Sequence, residues 1–184
     1  MRVIAGKYKS RQLKTVTSNT TRPTTDRNKE SMFNMIGPYF NGGVVLDLFG
    51  GSGGLGIEAL SRGCSMLYTI DNQYQAYKVI KDNIASLHID NAIVWKMDYK
   101  KALAKLFQSG IRFDLVLLDP PYGKQYIDPI LEYLIDHHML SLHSIIVIEE
   151  LVCVTFKSYP NLFCIKRNIH GITAVSIYQY QVEE

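Results

Sequence analysis

The stretch Val45-Leu46-Asp47-Leu48-Phe49-Gly50-Gly51-Ser52-Gly53-Gly54-Leu55-Gly56 limits what this chain can fold into more than any other. The apolar run at 44–49 reads as a strand. The glycines behind it demand a tight turn, and residues 54–62 then take up helical period. Strand, glycine loop and helix in that order open a parallel α/β unit. Gly51, Gly53 and Gly56 meet the G-x-G-x-x-G spacing, and Asp71 stands 20 residues beyond Gly51, at the end of the next apolar run. Glycines let the backbone approach a ligand closely, and an acid at that strand end can accept both hydroxyls of a ribose. Nicotinamide dinucleotides and S-adenosylmethionine both carry an adenosine ribose, so the loop alone leaves both open. Asp47 leans toward the second, because a carboxylate there opposes a diphosphate and favours the ammonium group of a methionine moiety. It equally suits a side chain that only hydrogen-bonds loop amides.

The alternation continues along the chain. Candidate strands at 66–71, 92–97, 113–119 and 144–149 are separated by candidate helices at 74–87, 99–108 and 127–137. In the first of these helices Tyr77, Ile80, Ile84 and Leu87 recur on one face. Runs at 162–168 and 173–180 flank His170-Gly171 and read as a terminal antiparallel hairpin. Upstream, 3–5 and 12–16 read as short strands. After Arg22-Pro23-Thr24-Thr25-Asp26 comes a helix with Met32, Phe33, Ile36 and Phe40 on one face, capped by Thr25 or Asp26. The expected fold is an α/β sandwich with a mostly parallel seven-stranded sheet, a C-terminal antiparallel hairpin and a small basic N-terminal appendage. With 184 residues, 47% of them hydrophobic, the chain suits one domain: an arm at 1–25 and a core at 26–184.

The net charge of +3 is unevenly spread. Residues 1–25 hold six cations (Arg2, Lys7, Lys9, Arg11, Lys14, Arg22) and no acid, leaving 14 cations against 17 acids in the remainder. Such a block is either a nucleic-acid footprint or a solvated basic tail. No apolar run approaches the roughly 18 residues of a membrane span, and no secretory signal opens the chain, so a cytoplasmic protein is expected. Cys64, Cys153 and Cys164 form no metal-ligand spacing and are expected to be reduced and mostly in the core; no metal is expected.

Asp119-Pro120-Pro121-Tyr122 follows the run at 113–118, so it falls on the sheet edge from which the glycine loop emerges. Two prolines stiffen the backbone and offer no N–H, leaving only acceptors for an incoming amine. Asp119 and the Pro120 carbonyl can each accept one N–H of an exocyclic amino group, stabilising positive charge as it develops. Tyr122 offers a face on which an unstacked base can lie. The structural alternative is a strand that ends in a rigid turn.

Five segments together carry a resemblance: RVIAGKYKSRQL, RPTTDRNKESMFN, DLFGGSGGLGIEALSRG, DPPY and HGITAVSIYQ. They resemble the bacterial 16S ribosomal RNA guanine-N2 methyltransferases of the small subunit, within the Rossmann-like class I methyltransferases that use S-adenosylmethionine. The likeness spans nearly the whole chain. It implies methylation of the N2 amino group of one guanine by in-line displacement at the sulfonium methyl, in small-subunit RNA or an assembly intermediate, by a monomer. It assigns the methionine part of the cofactor to Asp47, Phe49, Gly51, Ser52 and Gly53, the ribose to Asp71 with Asn72, and the adenine amino group to Asp98. Asp98 also reads as a helix cap. Asp119, Pro120, Pro121 and Tyr122 would hold the flipped guanine. Arg2, Lys7, Lys9, Arg11, Arg22, Thr24 and Arg27 would meet RNA, with Thr25 and Asp26 in the wall near the substrate. Gly50 and Gly54 stand where the family usually has alanine, and Ser10 where glycine is common. Glu149 and Glu150 read mainly as solvated acids at a strand end. A DNA adenine-N6 methyltransferase would share DPPY but needs a recognition insertion for which 184 residues leave little room. A nicotinamide oxidoreductase leaves DPPY without a task, and a non-catalytic RNA-binding module would show no cofactor dependence.

Overall fold

The structure, a computed structural model, describes residues 1–16 and 26–182. Helix α1 (Asp26–Ile36) leads into strand β1 (Val44–Asp47), α2 (Gly54–Ser61), β2 (Met66–Asp71), α3 (Tyr74–Ser86), β3 (Ala92–Lys96), α4 (Tyr99–Gln108), β4 (Phe113–Leu118), α5 (Ile127–Asp136) and β5 (Leu140–Leu151). The hairpin β6 (Leu162–His170) and β7 (Thr173–Tyr180) closes the chain. The seven strands run in the order β3-β2-β1-β4-β5-β7-β6. β1 to β5 pair in parallel, whereas β7 lies antiparallel between β5 and β6. The strand order reverses between β1 and β4, and open α/β sheets bind ligands outside the carboxyl ends of strands at such a switch point.

Both faces of the sheet are covered, which is why its central strands are continuous apolar runs. On β1, Leu46 joins Leu103 and Leu106 of α4 and Ile130 and Leu134 of α5 in one core. Its neighbour Val45 joins Met32 and Phe33 of α1 and Ile57 and Leu60 of α2 in the other. Period two on the strand and period 3.6 on the helices therefore meet as the sequence predicts.

The arm departs from expectation. Instead of two strands it makes a single antiparallel bridge, Arg2 with Gln12. Its backbone donors are drawn to α2: Ile4 and Ala5 N–H donate to the Glu58 carboxylate at 2.9 and 3.0 Å. The Lys7 amide donates to the Ser61 carbonyl and that of Tyr8 to the Ser61 hydroxyl. Gly6, at φ +82°, lies so close to Ser61 that a Cβ there would strike its carbonyl. Ser10 occupies the left-handed region at φ 67°, a position that favours the glycine usual there. Glu58 also pairs with Lys29 (3.2 Å) and Arg62 (2.8 Å), all three side chains being nearly fully buried. The cysteines need correction too: Cys64 is buried, but Cys153 and Cys164 are exposed.

Candidate active site

Beyond Asp47 the chain turns under β2. Gly50 N–H donates to the Ile70 carbonyl (2.8 Å) and Gly53 N–H to the Gly50 carbonyl (2.6 Å), with Gly51 and Gly53 at φ 55° and 79°. A side chain at Gly50 would meet Thr69 and Ile80, and one at Gly54 would meet the Met1 sulfur. Those three side chains fill the space that an alanine methyl would need. The Asp71 carboxylate closes the loop from β2, accepting Gly51 N–H at 2.9 Å through Oδ2 and Gln73 N–H at 2.8 Å through Oδ1. From α3, buried Asn83 donates to the carbonyls of Ser52 and Lys14, tying loop and arm together.

Asp47 is 2% exposed and accepts Gly56 N–H at 3.3 Å. Burial raises its pKa to about 7, the Gly56 and Phe49 amides drawing it back down and the Asp71 charge adding to the rise. Burial likewise lifts Asp71 above the usual carboxylate range. Asp98 caps α4, accepting Lys100 N–H at 2.9 Å. Both sequence readings of Asp47 and of Asp98 are therefore compatible, since each acid bonds a backbone amide while lining the same cavity.

That cavity holds about 420 Å³. It brings together Asp47, Phe49, Gly51, Ser52, Asp71, Asn72 and Asp98 with Asp119, Pro120, Pro121 and Tyr122. Gly53 is buried behind the loop and does not line it. Sequence reading missed four further walls: Met1, buried Lys29 and the rings of Tyr99 and Tyr126. Phe49, Tyr99 and Tyr126 form a cluster with centroids 5.3 to 6.0 Å apart. The lining has four carboxylates and one lysine, and Lys29 is already held by the Arg2 carbonyl (2.6 Å) and Glu58. Four acids, with the one lysine among the described lining residues already paired, oppose a diphosphate and suit a ligand that is cationic and rich in donors. The donor set fits S-adenosylmethionine, whose ammonium, diol and amino group all need acceptors such as these carboxylates.

On the acceptor edge, Pro120 is buried while Pro121 and Tyr122 are exposed. The Tyr122 hydroxyl donates to Glu149 Oε1 at 3.3 Å, and burial and the neighbouring carboxylates raise its pKa. Glu149 and Glu150 are not solvated: they are 8% and 3% exposed, covered by β7 through the pairs Glu149 with Val175 and Glu150 with Ala174.

The proposed RNA residues divide. Arg22 and Thr24, with Thr25, lie outside the described residues. Arg2 is spent on Asp26 of α1, with Nε to Oδ2 at 3.1 Å, which takes Asp26 into a fold contact. Lys7, Lys9, Arg11 and Arg27 are exposed, Arg11 donating to the Ser86 carbonyl. Among the described residues no group of three or more His, Cys, Asp or Glu could hold a metal, and no helix is long and apolar enough to cross a membrane.

A switch-point cavity that joins a glycine loop to Asp119-Pro120-Pro121-Tyr122, on a sheet whose last strand is antiparallel, defines the class I methyltransferase fold. The solved structure of Escherichia coli yhhF has that fold and superposes with a TM-score of 0.86 at 30% identity, covering 100% of this chain and 99% of that one. Residues 1–179 match the family described as Conserved hypothetical protein 95, and the chain belongs to that family. It is 42% identical to YlbH of Bacillus subtilis, covering 97% of this chain and 98% of that protein. It is 30% identical to Ribosomal RNA small subunit methyltransferase D of Escherichia coli, covering 100% of this chain and 91% of that one.

Proposed function

We propose that this enzyme transfers a methyl group from S-adenosylmethionine to the exocyclic N2 amino group of one guanine in small-subunit ribosomal RNA. The observation that carries the reading is the shared cavity: the acid-lined glycine loop and Asp119-Pro120-Pro121-Tyr122 open into the same space. Relatives named as small-subunit ribosomal RNA methyltransferases support the substrate class. When bound, the cofactor supplies an electrophilic methyl on a sulfonium. The chain's own residues do the rest. Asp47, Asp71 and Asp98 fix the donor, and the mutually tilted rings of Phe49, Tyr99 and Tyr126 give an aromatic wall for its base. Asp119 and the Pro120 carbonyl accept hydrogen bonds from the two amino N–H groups, directing the nitrogen lone pair inward and stabilising its growing positive charge. As the sulfonium gives way to a neutral thioether, the one proton lost from the methylated nitrogen passes to the Asp119 carboxylate. Tyr122 receives the base once it leaves its stack, at a cost of a few kcal/mol. The exposed cations of the arm hold RNA phosphates.

The test is transfer of labelled methyl to unmodified small subunits, to their free RNA and to DNA, followed by nuclease digestion. Expected is N2-methylguanosine, lost in Asp119→Ala. Label in methyladenine would overturn the target, and no transfer to any substrate would overturn the reaction.

A further inference from the structure

Leu118 of β4 is paired in register with Ile148 of β5, and both lie in the core against α4 and α5. The next residues, Asp119 just past the end of β4 and Glu149 still within β5, therefore turn to the opposite face of the sheet on neighbouring strands about 4.8 Å apart. Asp119 lines the cavity, and Glu149 stands behind its wall, joined to it through the Tyr122 hydroxyl. Glu149 is 8% exposed; Oε1 accepts the Tyr122 hydroxyl, while Oε2 is closed to solvent and has no donor among the described residues. A buried carboxylate oxygen without a donor is uncommon and costly, and it calls for an explanation. The Tyr122 ring is 43% exposed and is anchored to this carboxylate, so a base stacked on the ring brings its edge to Glu149.

Guanine presents two adjacent donors on that edge, N1–H and the N2 amino group. Adenine presents a bare N1 acceptor in the corresponding place, which a carboxylate repels. We infer that Glu149 is a specificity-determining residue that accepts N1–H of the target guanine through Oε2 while Asp119 accepts from N2. Through Oε1 it also sets the Tyr122 ring. This inference rests on the guanine-N2 reading above. It accounts for a buried acid behind an exposed tyrosine, and for how an amine site that would fit adenine selects guanine.

The test uses small-subunit RNA ligated from synthetic pieces, with guanine, 2,6-diaminopurine or 2-aminopurine at the methylated position. All three keep the 2-amino group, but only guanine has N1–H. The wild-type enzyme is expected to prefer guanine in kcat/KM by roughly 10- to 100-fold, the worth of a good hydrogen-bonded base contact. In Glu149→Gln the preference should fall to within about threefold through loss on guanine, with S-adenosylmethionine affinity by calorimetry unchanged. Where Glu149→Gln does not fold, Glu149→Asp keeps the charge but withdraws the oxygen, and the same loss of preference is expected. A wild-type enzyme that methylates all three bases alike, or a Glu149 variant that keeps the full preference, would overturn the inference alone. A wild-type enzyme inactive on guanine RNA would overturn the functional reading and this inference with it.

Discussion

The two halves of the cavity are built to different standards. On the donor side Asp47 is 2% exposed, and Gly50, Gly51 and Gly56 each give their amide to a fixed acceptor. On the acceptor side Pro121 and Tyr122 are exposed, one 3.3 Å hydrogen bond holds the Tyr122 hydroxyl, and a buried Glu149 oxygen has no donor among the described residues. The donor pocket is complete before anything binds. The acceptor pocket lacks a partner that a base can bring. A small cofactor gains affinity from a preorganised site, whereas a large RNA brings enough contacts elsewhere to order the few groups around one flipped base.

The most direct way to break that contrast is to remove one acid from each half. Asp71→Ala deprives Gly51 and Gln73 of their acceptor. It should weaken cofactor binding roughly 10- to 100-fold and lower stability by about 2 kcal/mol, as lost hydrogen bonds to a carboxylate do. Asp119→Ala should cut kcat by roughly 100- to 1000-fold and leave cofactor affinity within about twofold. Calorimetry with single-turnover kinetics reads both. Equal losses of affinity in the two variants would mean that donor and acceptor sides are one cooperative unit.

A smaller effect sharpens the donor side. Burial holds Asp47 at about pH 7 without ligand, whereas an ammonium beside it favours the carboxylate. Below pH 7 the ligand must displace a proton, so cofactor affinity should rise as pH goes from 6 to 7.5, by less than tenfold per unit, and level off above. The apo protein should show the opposite sign. A carboxyl whose folded pKa is raised contributes stability at low pH that is lost as pH climbs toward 7. Asp47→Asn should flatten both profiles. A binding profile that stays flat in the wild type would remove Asp47 from the ammonium site.

What the sequence made legible and what it hid follow the range of the interactions. Strands, helices and the hairpin are local patterns, and Thr173–Tyr180 and Tyr99–Gln108 fall where periodicity puts them. The glycine loop and DPPY share an edge because parallel connections put every strand's carboxyl end on one side. Tyr99 and Tyr126 escaped because each reads as the start of an ordinary helix; only the fold sets both against Phe49. Adjacent acids at 149 and 150 read as solvated until β7 is laid across them, a pairing that joins residues some 25 positions apart. Lys29 sits in a run of charges yet is fully buried, because Glu58 takes its ammonium from across the chain. Such a network is destabilised strongly when one partner is removed, and nothing in the local pattern announces it.

The arm repeats the contrast on a smaller scale, and its cations give the smallest expected effect. Arg2 and Lys14 are tied to Asp26 and Asp82, while Lys7 and Lys9 are exposed and no acid pairs with them among the described residues. Lys7→Gln with Lys9→Gln should weaken RNA binding a few-fold at moderate salt. It should also reduce the slope of log K against log salt by about one to two, as expected for two lost phosphate contacts. Arg2→Gln with Lys14→Gln removes the same charge from the same arm. If pairing commits those two to the fold, it should change the salt slope far less and instead lower the melting temperature slightly, exposed ion pairs contributing about 0 to 1 kcal/mol each. Equal slope changes in the two double variants would mean that total charge governs RNA binding, and that the ion pairs open when RNA arrives.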